Sequence, residues 1–333
     1  MKTANIACAV ILAAGTVAVL GDEEPTGPKI VMKNWSKAGN FEMTVNIKLD
    51  QDVVVNGQPQ PRQHVIQTMV VGLNVSRTDA QGARTIEVSY KRIKQKMQFG
   101  TVEKSFDSAA PKAAQDPLLA KAFAPILRAK ISVVVGADGK VRSIRGLEQL
   151  WKDMAAGDPR AAQMIEVMKK QFGDQLIGQV IGQNSQITPA GGVRVGESWT
   201  KQTKIALPFV GQMSVNQQFR LKGLRFSAAG KVAEVDFKAT VKSADAKAVQ
   251  LGPVTMNFEK LNLTQVGQME YNVDQGLFVS LRVNQTNAMQ MSGQAPDGQP
   301  TKVTIDQKMT MTSTVRQAPP EATTKAATTR LAK

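Results

Sequence analysis

Residues 41–49 read Phe41-Glu42-Met43-Thr44-Val45-Asn46-Ile47-Lys48-Leu49. Apolar and polar side chains alternate at every step, the two-residue period of a strand with one face buried and one in water. Phe41, Met43, Val45, Ile47 and Leu49 therefore face a core. Asn56-Gly57-Gln58-Pro59-Gln60-Pro61 follows as a loop. The next strand covers about 64–77, with Val65, Met69, Val71, Leu73 and Val75 on one face. After Ala80-Gln81-Gly82, residues 84–99 return. Ile86, Val88 and Tyr90 hold one parity, then Ile93, Met97 and Phe99 the other, which predicts a bulge near Lys91–Arg92.

The same reading extends along the chain. Residues 130–135 and 141–145 flank Gly136-Ala137-Asp138-Gly139-Lys140, a hairpin with Asp-Gly in its turn. Residues 268–273 and 277–284 flank Asp274-Gln275-Gly276 in the same manner. Further strands are predicted over 201–207, 212–224, 231–243, 255–266 and 301–315, giving about ten to twelve in a meandering antiparallel sheet. Two hairpins of one style leave open an internal duplication or coincidence, since such turns are common.

The middle of the chain is helical. Asp116-Pro117 predicts a helix from an Asp N-cap and a Pro at the first helical position, ending near Pro125. Leu147, Leu150, Trp151 and Met154 share one helical face. Asp158-Pro159 opens another helix, striped by Ala161, Ile165, Met168 and Phe172, with a last segment running to about residue 182. Each stripe needs an apolar partner, and the sheet is the one large surface available. The expected fold is mainly β (α+β): a large curved antiparallel sheet or incomplete β-barrel, with helices packed on its concave side.

The ends read as separate segments. Residues 1–21 carry Lys2, an uncharged run from Ile6 to Leu20, and Val19 and Gly21 before Asp22, the order of parts in a secretory signal peptide. Left uncleaved, the same segment would be an amino-terminal anchor. Residues 22–29 read as a linker, 30–316 as one β-rich domain with a helical insert at about 116–125 and 147–182, and 317–333 as a disordered Ala/Thr/Pro-rich tail. No later stretch has the apolar length of a transmembrane span. The expectation is an exported protein, periplasmic or extracellular.

Composition limits the chemistry. In 333 residues there are one Cys and one His, which argues against a disulfide framework, a Cys/His zinc site, haem attachment or an iron–sulfur cluster. His64 follows a Pro-rich loop with no nucleophile motif beside it, and no G-x-S-x-G elbow, phosphate loop or dinucleotide fingerprint occurs. Asp116 and Asp158 are explained by caps, and Asp138 and Asp274 by turns. Trp199 beside Glu197 reads as a buried tryptophan at a strand start. The expectation is a non-enzymatic protein with no catalytic residue, metal or cofactor.

Two features point to binding. Inward-facing methionines are flexible and polarisable, so they suit either core filling or an apolar ligand. The candidate ligand-lining residues are Met43, Met69, Met97, Met213, Leu150, Trp151, Met154, Ile165 and Met168. The second feature is charge: 42 Lys+Arg against 27 Asp+Glu give a net +15. Arg84, Lys91, Arg92, Lys94 and Lys96 concentrate on one strand as a candidate basic surface for an anionic envelope polymer or lipid. Nucleic acid is not expected as a partner, because the chain reads as exported and lacks an aromatic stacking platform.

The runs Tyr90-Lys91-Arg92-Ile93-Lys94-Gln95-Lys96-Met97, Phe106-Asp107-Ser108, Asp138-Gly139-Lys140-Val141 and Val195-Gly196-Glu197-Ser198-Trp199-Thr200 resemble a family of uncharacterised exported bacterial proteins, known only as a domain of unknown function. The resemblance covers roughly residues 30–315. It implies a bacterial envelope setting and brings no site residues with it. The layout is also similar to the half-barrels of periplasmic lipoprotein and lipid carriers, which implies an open apolar face for acyl chains. The functional expectation is an exported binding protein for an apolar or lipidic ligand. The alternative is an envelope structural or interaction protein using the basic strand.

Overall fold

The computed structural model describes residues 25–33, 36–156, 187–207, 211–227, 230–243, 248–251, 254–294 and 298–318. In chain order its strands are β1 (Thr26–Ile30), β2 (Gly39–Val55), β3 (Gln58–Pro59), β4 (Gln63–Val75), β5 (Arg84–Phe99), β6 (Val102–Asp107), β7 (Lys130–Val135) and β8 (Val141–Arg145). After two helices, α1 (Pro117–Arg128) and α2 (Leu147–Ala155), come β9 (Val193–Val195), β10 (Ser198–Leu207), β11 (Gly211–Ser227) and β12 (Gly230–Ser243). The last are β13 (Ala248–Leu251), β14 (Val254–Asn272), β15 (Leu277–Gln294) and β16 (Pro300–Gln317).

Alternating sequence builds one antiparallel sheet with the path β10-β11-β12-β14-β15-β16-β2-β4-β5-β7-β8, with β3, β6 and β13 on short side pairings. The sheet is open, and β10 and β8 are its edges. Each half of the chain is a meander. The halves join where β2, from the first, pairs with β16, from the last, in fifteen register pairs from Phe41↔Gln317 to Val55↔Val303. Of the two similar hairpins, β7–β8 lies at an edge and β14–β15 lies within the sheet.

Pairing carries the parity of residues 41–49 across every strand. Ile47 lies beside Met311 and Gln67, which lead to Val283 and Gln95. This inner face holds two clusters. The larger gathers Val45, Ile47, Leu49, Val283, Met309 and Met311 with Trp199, Phe219 and Phe237, and the second centres on Phe41, Leu73, Ile86, Val133 and Leu277. Burying each such side chain contributes about 1.5–3 kcal/mol. The predicted bulge is present: Val70 pairs with Arg92 and Val71 with Tyr90, so Lys91 is the extra residue. It lets Tyr90 and Ile93 both face inward while Lys91 and Arg92 stay out.

Helix α1 begins as predicted. Asp116 Oδ1 accepts from the Leu118 and Leu119 amides at 3.0 Å, with Pro117 next to it. Its end differs, because α1 runs through Pro125 to Arg128. Proline removes only the bond to the Lys121 carbonyl, near the helix end, and Lys121 is exposed to solvent. Phe123 stacks on Phe106 at 5.2 Å. Phe106 pairs with Gln95, so α1 stands on the core face. Helix α2 packs on α1. Residues 1–21 and the helices expected over 158–182 lie outside the described residues.

Four boundaries correct the sequence reading. Thr26–Ile30, overlapping the expected linker at 22–29, is a strand paired with β9. This small sheet covers the core end where the Ile187 amide donates to the Met32 carbonyl at 3.2 Å. Strands β6 and β13 are short and weakly periodic, and the local pattern does not predict them. Gln317, placed in the tail, ends β16, and the Ala318 amide donates to the Asn40 carbonyl at 2.9 Å. Finally, β14 is continuous where two strands were expected on either side of Gly267. That glycine does not break the strand; it makes room. A Cβ there would lie 2.5 Å from Phe237 Cε1 and from the Arg282 carbonyl oxygen. Trp199, Phe219 and Phe237 stack side by side at 5.3 and 6.2 Å, and the last ring lies over Gly267.

Gly267→Ala should therefore destabilise the fold by about 1–3 kcal/mol through overpacking. Chemical denaturation checks this, and Phe237→Leu in the same chain should recover part of the loss.

Candidate binding face

The inner face is not uniformly apolar. Where an inward position breaks the apolar alternation, the residue is repeatedly a glutamine or asparagine. One belt runs across the sheet: Gln217 on β11, then, past Ala239 of β12, Gln265 on β14, Gln285 and Asn287 on β15, Gln307 on β16 and Gln51 on β2. Register explains the order. Gln265 pairs with Gln285, Asn287 with Gln307, and Gln307 with Gln51. A second pair, Gln67 and Gln95, lies on β4 and β5.

The amides bond to one another. Gln265 Nε2 donates to Gln285 Oε1 at 2.5 Å, and these side chains are only 2% and 4% exposed. Asn287 Nδ2 donates to Gln307 Oε1 and Gln307 Nε2 to Gln51 Oε1, each at the long distance of 3.5 Å. Gln67 Nε2 donates to Gln95 Oε1 at 3.1 Å. Asn287 Oδ1 is sealed from solvent without a hydrogen-bond partner. An unsatisfied buried acceptor costs about 1–3 kcal/mol.

The belt divides the face. On one side lies the packed core. On the other, Val53, Val55, Val303, Ile305, Met289 and Leu261 form an apolar strip across β2, β16, β15 and β14, each partly exposed, while Met291, Leu263, Val241 and Val215 on the same side of the belt are buried. At the β10 end, Lys201 lies in register with Gln217. Desolvation by burial lowers the pKa of its ammonium.

The expected ligand-lining residues that are described lie on three parts of the fold. Met43 and Met69 lie on β2 and β4 and pack against both clusters, and Met97 on β5 packs against the larger. The Gln95 amide donates to the Met97 sulfur. Met213 is on β11, 2% exposed. Leu150, Trp151 and Met154 are on α2, near the opposite end of the strand order. Ile165 and Met168 lie outside the described residues. The sequence signals the belt only as gaps at Gln67, Gln95 and Gln307 in otherwise apolar inward positions.

The basic strand is largely compensated by the chain itself. Arg84 donates to the carbonyls of Ser76 and Ser36 at 3.0 and 2.9 Å. Arg92 forms a two-pronged pair with Asp107 at 3.0 and 2.6 Å. Lys96 meets Glu103 at 2.9 Å and Lys91 meets Glu42 at 3.6 Å. Lys94 and Arg84 make no ion pair among the described residues. The hydrogen bond from Arg92 chiefly holds the Asp107 carboxyl below its ordinary range. The same happens to Glu42, chiefly through Arg316, and to Asp116, chiefly through the Leu119 amide. His64 Nδ1 lies 2.9 Å from Asp50 on the outer face, a surface pair. Trp199 is buried and its Nε1 donates to the Ile187 carbonyl at 3.0 Å, so it serves packing.

A family of unknown function, DUF6263, matches residues 81–278, more than half of the chain. This chain belongs to that family. The match is narrower than the resemblance read from the sequence. No curated protein matches. Among solved structures, lipovitellin, solved for its lipid–protein interactions, is similar at 8% identity and a TM-score of 0.46. The alignment covers 85% of this chain and only 26% of lipovitellin. DynF from the dynemicin biosynthesis pathway of Micromonospora chersina covers 90% of this chain and 92% of its own, at 8% identity and a TM-score of 0.18. The translocator domain of the autotransporter NalP from Neisseria meningitidis covers 84% and 88%, at 8% identity and 0.21. TM-scores this low do not establish a shared fold. No helix among the described residues is long and apolar enough to cross a membrane.

Two outcomes follow from the polar groups. The Tyr271 hydroxyl is buried without a partner, and burial pushes its pKa far up. Tyr271→Phe should leave stability unchanged or raise it by about 1 kcal/mol, read by denaturant unfolding. Asp107, with its folded pKa depressed, contributes stability that is present above the unfolded Asp pKa of about 3.9 and lost as pH falls through the lower folded value. Melting temperature measured against pH should therefore fall less steeply on acidification in Asp107→Asn than in the parent chain.

Proposed function

We propose that this chain is an exported, non-enzymatic binding protein that holds an apolar or lipidic ligand against the inner face of its open sheet. The observation that carries this reading is the strip of Val53, Val55, Val303, Ile305, Met289 and Leu261. It is contiguous by register, partly exposed, and on the side of the sheet where a folded chain ordinarily buries its apolar groups. Adaptable methionine within the strip suits a ligand of variable chain shape. Export is supported by the pattern of residues 1–21. The basic strand offers less for an anionic partner, because Arg84, Lys91, Arg92 and Lys96 already bond within the chain.

Purification of the full chain without detergent, followed by native mass spectrometry and organic extraction, tests the reading. The expected result is a bound apolar molecule, and a fluorescent apolar probe should bind the stripped protein. Val53→Asn with Ile305→Asn should weaken probe binding by about tenfold or more, with the circular dichroism spectrum retained. A chain that carries nothing and takes up no probe would end the proposal.

A further inference from the structure

We infer that the amide belt selects the ligand's polar end, and that the ligand is a neutral amphiphile: a long apolar chain ending in an uncharged, hydroxyl-bearing headgroup. This rests on the binding reading above and adds the chemical class. The first observation is position. Asn287, Gln307 and Gln51 border the apolar strip on three of its four strands, β15, β16 and β2, because Met289, Ile305 and Val53 are each two residues away on the same strands. A chain lying on the strip would thus bring its end group to the belt.

The second observation is unfilled hydrogen-bonding capacity. Asn287 Oδ1 has no partner. The Nε2 groups of Gln285 and Gln51 have no acceptor among the described residues, and the Asn287–Gln307–Gln51 bonds are stretched to 3.5 Å. Buried polar groups are ordinarily satisfied, so the sealed Asn287 acceptor, beside two amide donors that have no partner among the described residues, matches a guest that both donates and accepts. A hydroxyl does both.

The third observation is charge. The belt at β15, β16 and β2 contains no ionisable side chain. Lys201 is four strands from β15 along the path β10-β11-β12-β14-β15, too far to serve as a counter-ion. A carboxylate or phosphate placed here would lose water and gain no counter-charge, which is costly. A neutral hydroxyl bears no such cost.

The test uses the full chain stripped of bound molecules. A monoacylglycerol, the fatty acid of equal chain length at a pH where it is ionised, and the matching lysophosphatidylglycerol each displace a fluorescent apolar probe, all below their micellar concentrations. The expected order places the monoacylglycerol ahead of both anions by about tenfold or more. Gln307→Leu should reduce that preference to about threefold or less, with probe affinity kept, and Gln51→Leu should do the same if the first variant folds poorly. Equal binding of the three, tighter binding of an anion, or an unchanged preference in both variants would overturn the headgroup assignment while leaving apolar binding standing. Failure of every ligand and of the probe would overturn both.

Discussion

The pairing of β2 with β16 is the constraint on which the rest depends. It joins strands some 250 residues apart in the chain, and it turns two meanders into one sheet. Closing so long a loop costs entropy that local turns cannot repay, so the ladder and its side chains must repay it together. Leu49 beside Met309 and Ile47 beside Met311 supply the apolar part. Arg316 with Glu42 adds a charged contact at 2.5 Å on the outer face. At the far end, the Asn56 side chain accepts from the Lys302 amide at 2.6 Å, so the turn after β2 is tied to the start of β16.

Once that seam is formed, parity is no longer local. A residue on β2 faces the same side as its partners on β16, β15 and β14, and a one-residue slip would turn every apolar group outward. The bulge at Lys91 is the device that preserves this on β5. Without the extra residue, either Tyr90 or Ile93 would face water and a cation would enter the core. Gly267 plays a comparable part for the aromatic row, accepting the edge of Phe237 where any side chain would collide.

The same register assembles the amide belt. Each glutamine alone is an ordinary interruption of a strand pattern. Side by side they make a polar line across an apolar surface, partly satisfied by mutual bonds and partly open. Such a line weakens the core it crosses, since well-packed apolar groups would bury more surface without an unfilled acceptor. The partly exposed strip beyond it adds a second departure from a closed core. Both lie on one face and share a boundary, so the sheet presents an amphipathic surface next to a packed interior.

The amino-acid sequence by itself determined the strands with faultless alternation, the Asp116 cap, the bulge and both hairpins, because each is written in neighbouring residues. It also determined which side of each strand is apolar. Only tertiary structure decided that β2 meets β16, that residues 26–30 pair with β9, and that the inward glutamines adjoin. These depend on contacts between distant segments, which no local period encodes. Of the strand methionines named from the sequence, Met43, Met69 and Met97 face inward on neighbouring strands while Met213 faces inward five strands from β2, since shared parity fixes a face and not a neighbourhood. The basic strand was legible as composition, whereas its neutralisation by Asp107, Glu103 and Glu42 required the pairing that brings those carboxylates alongside.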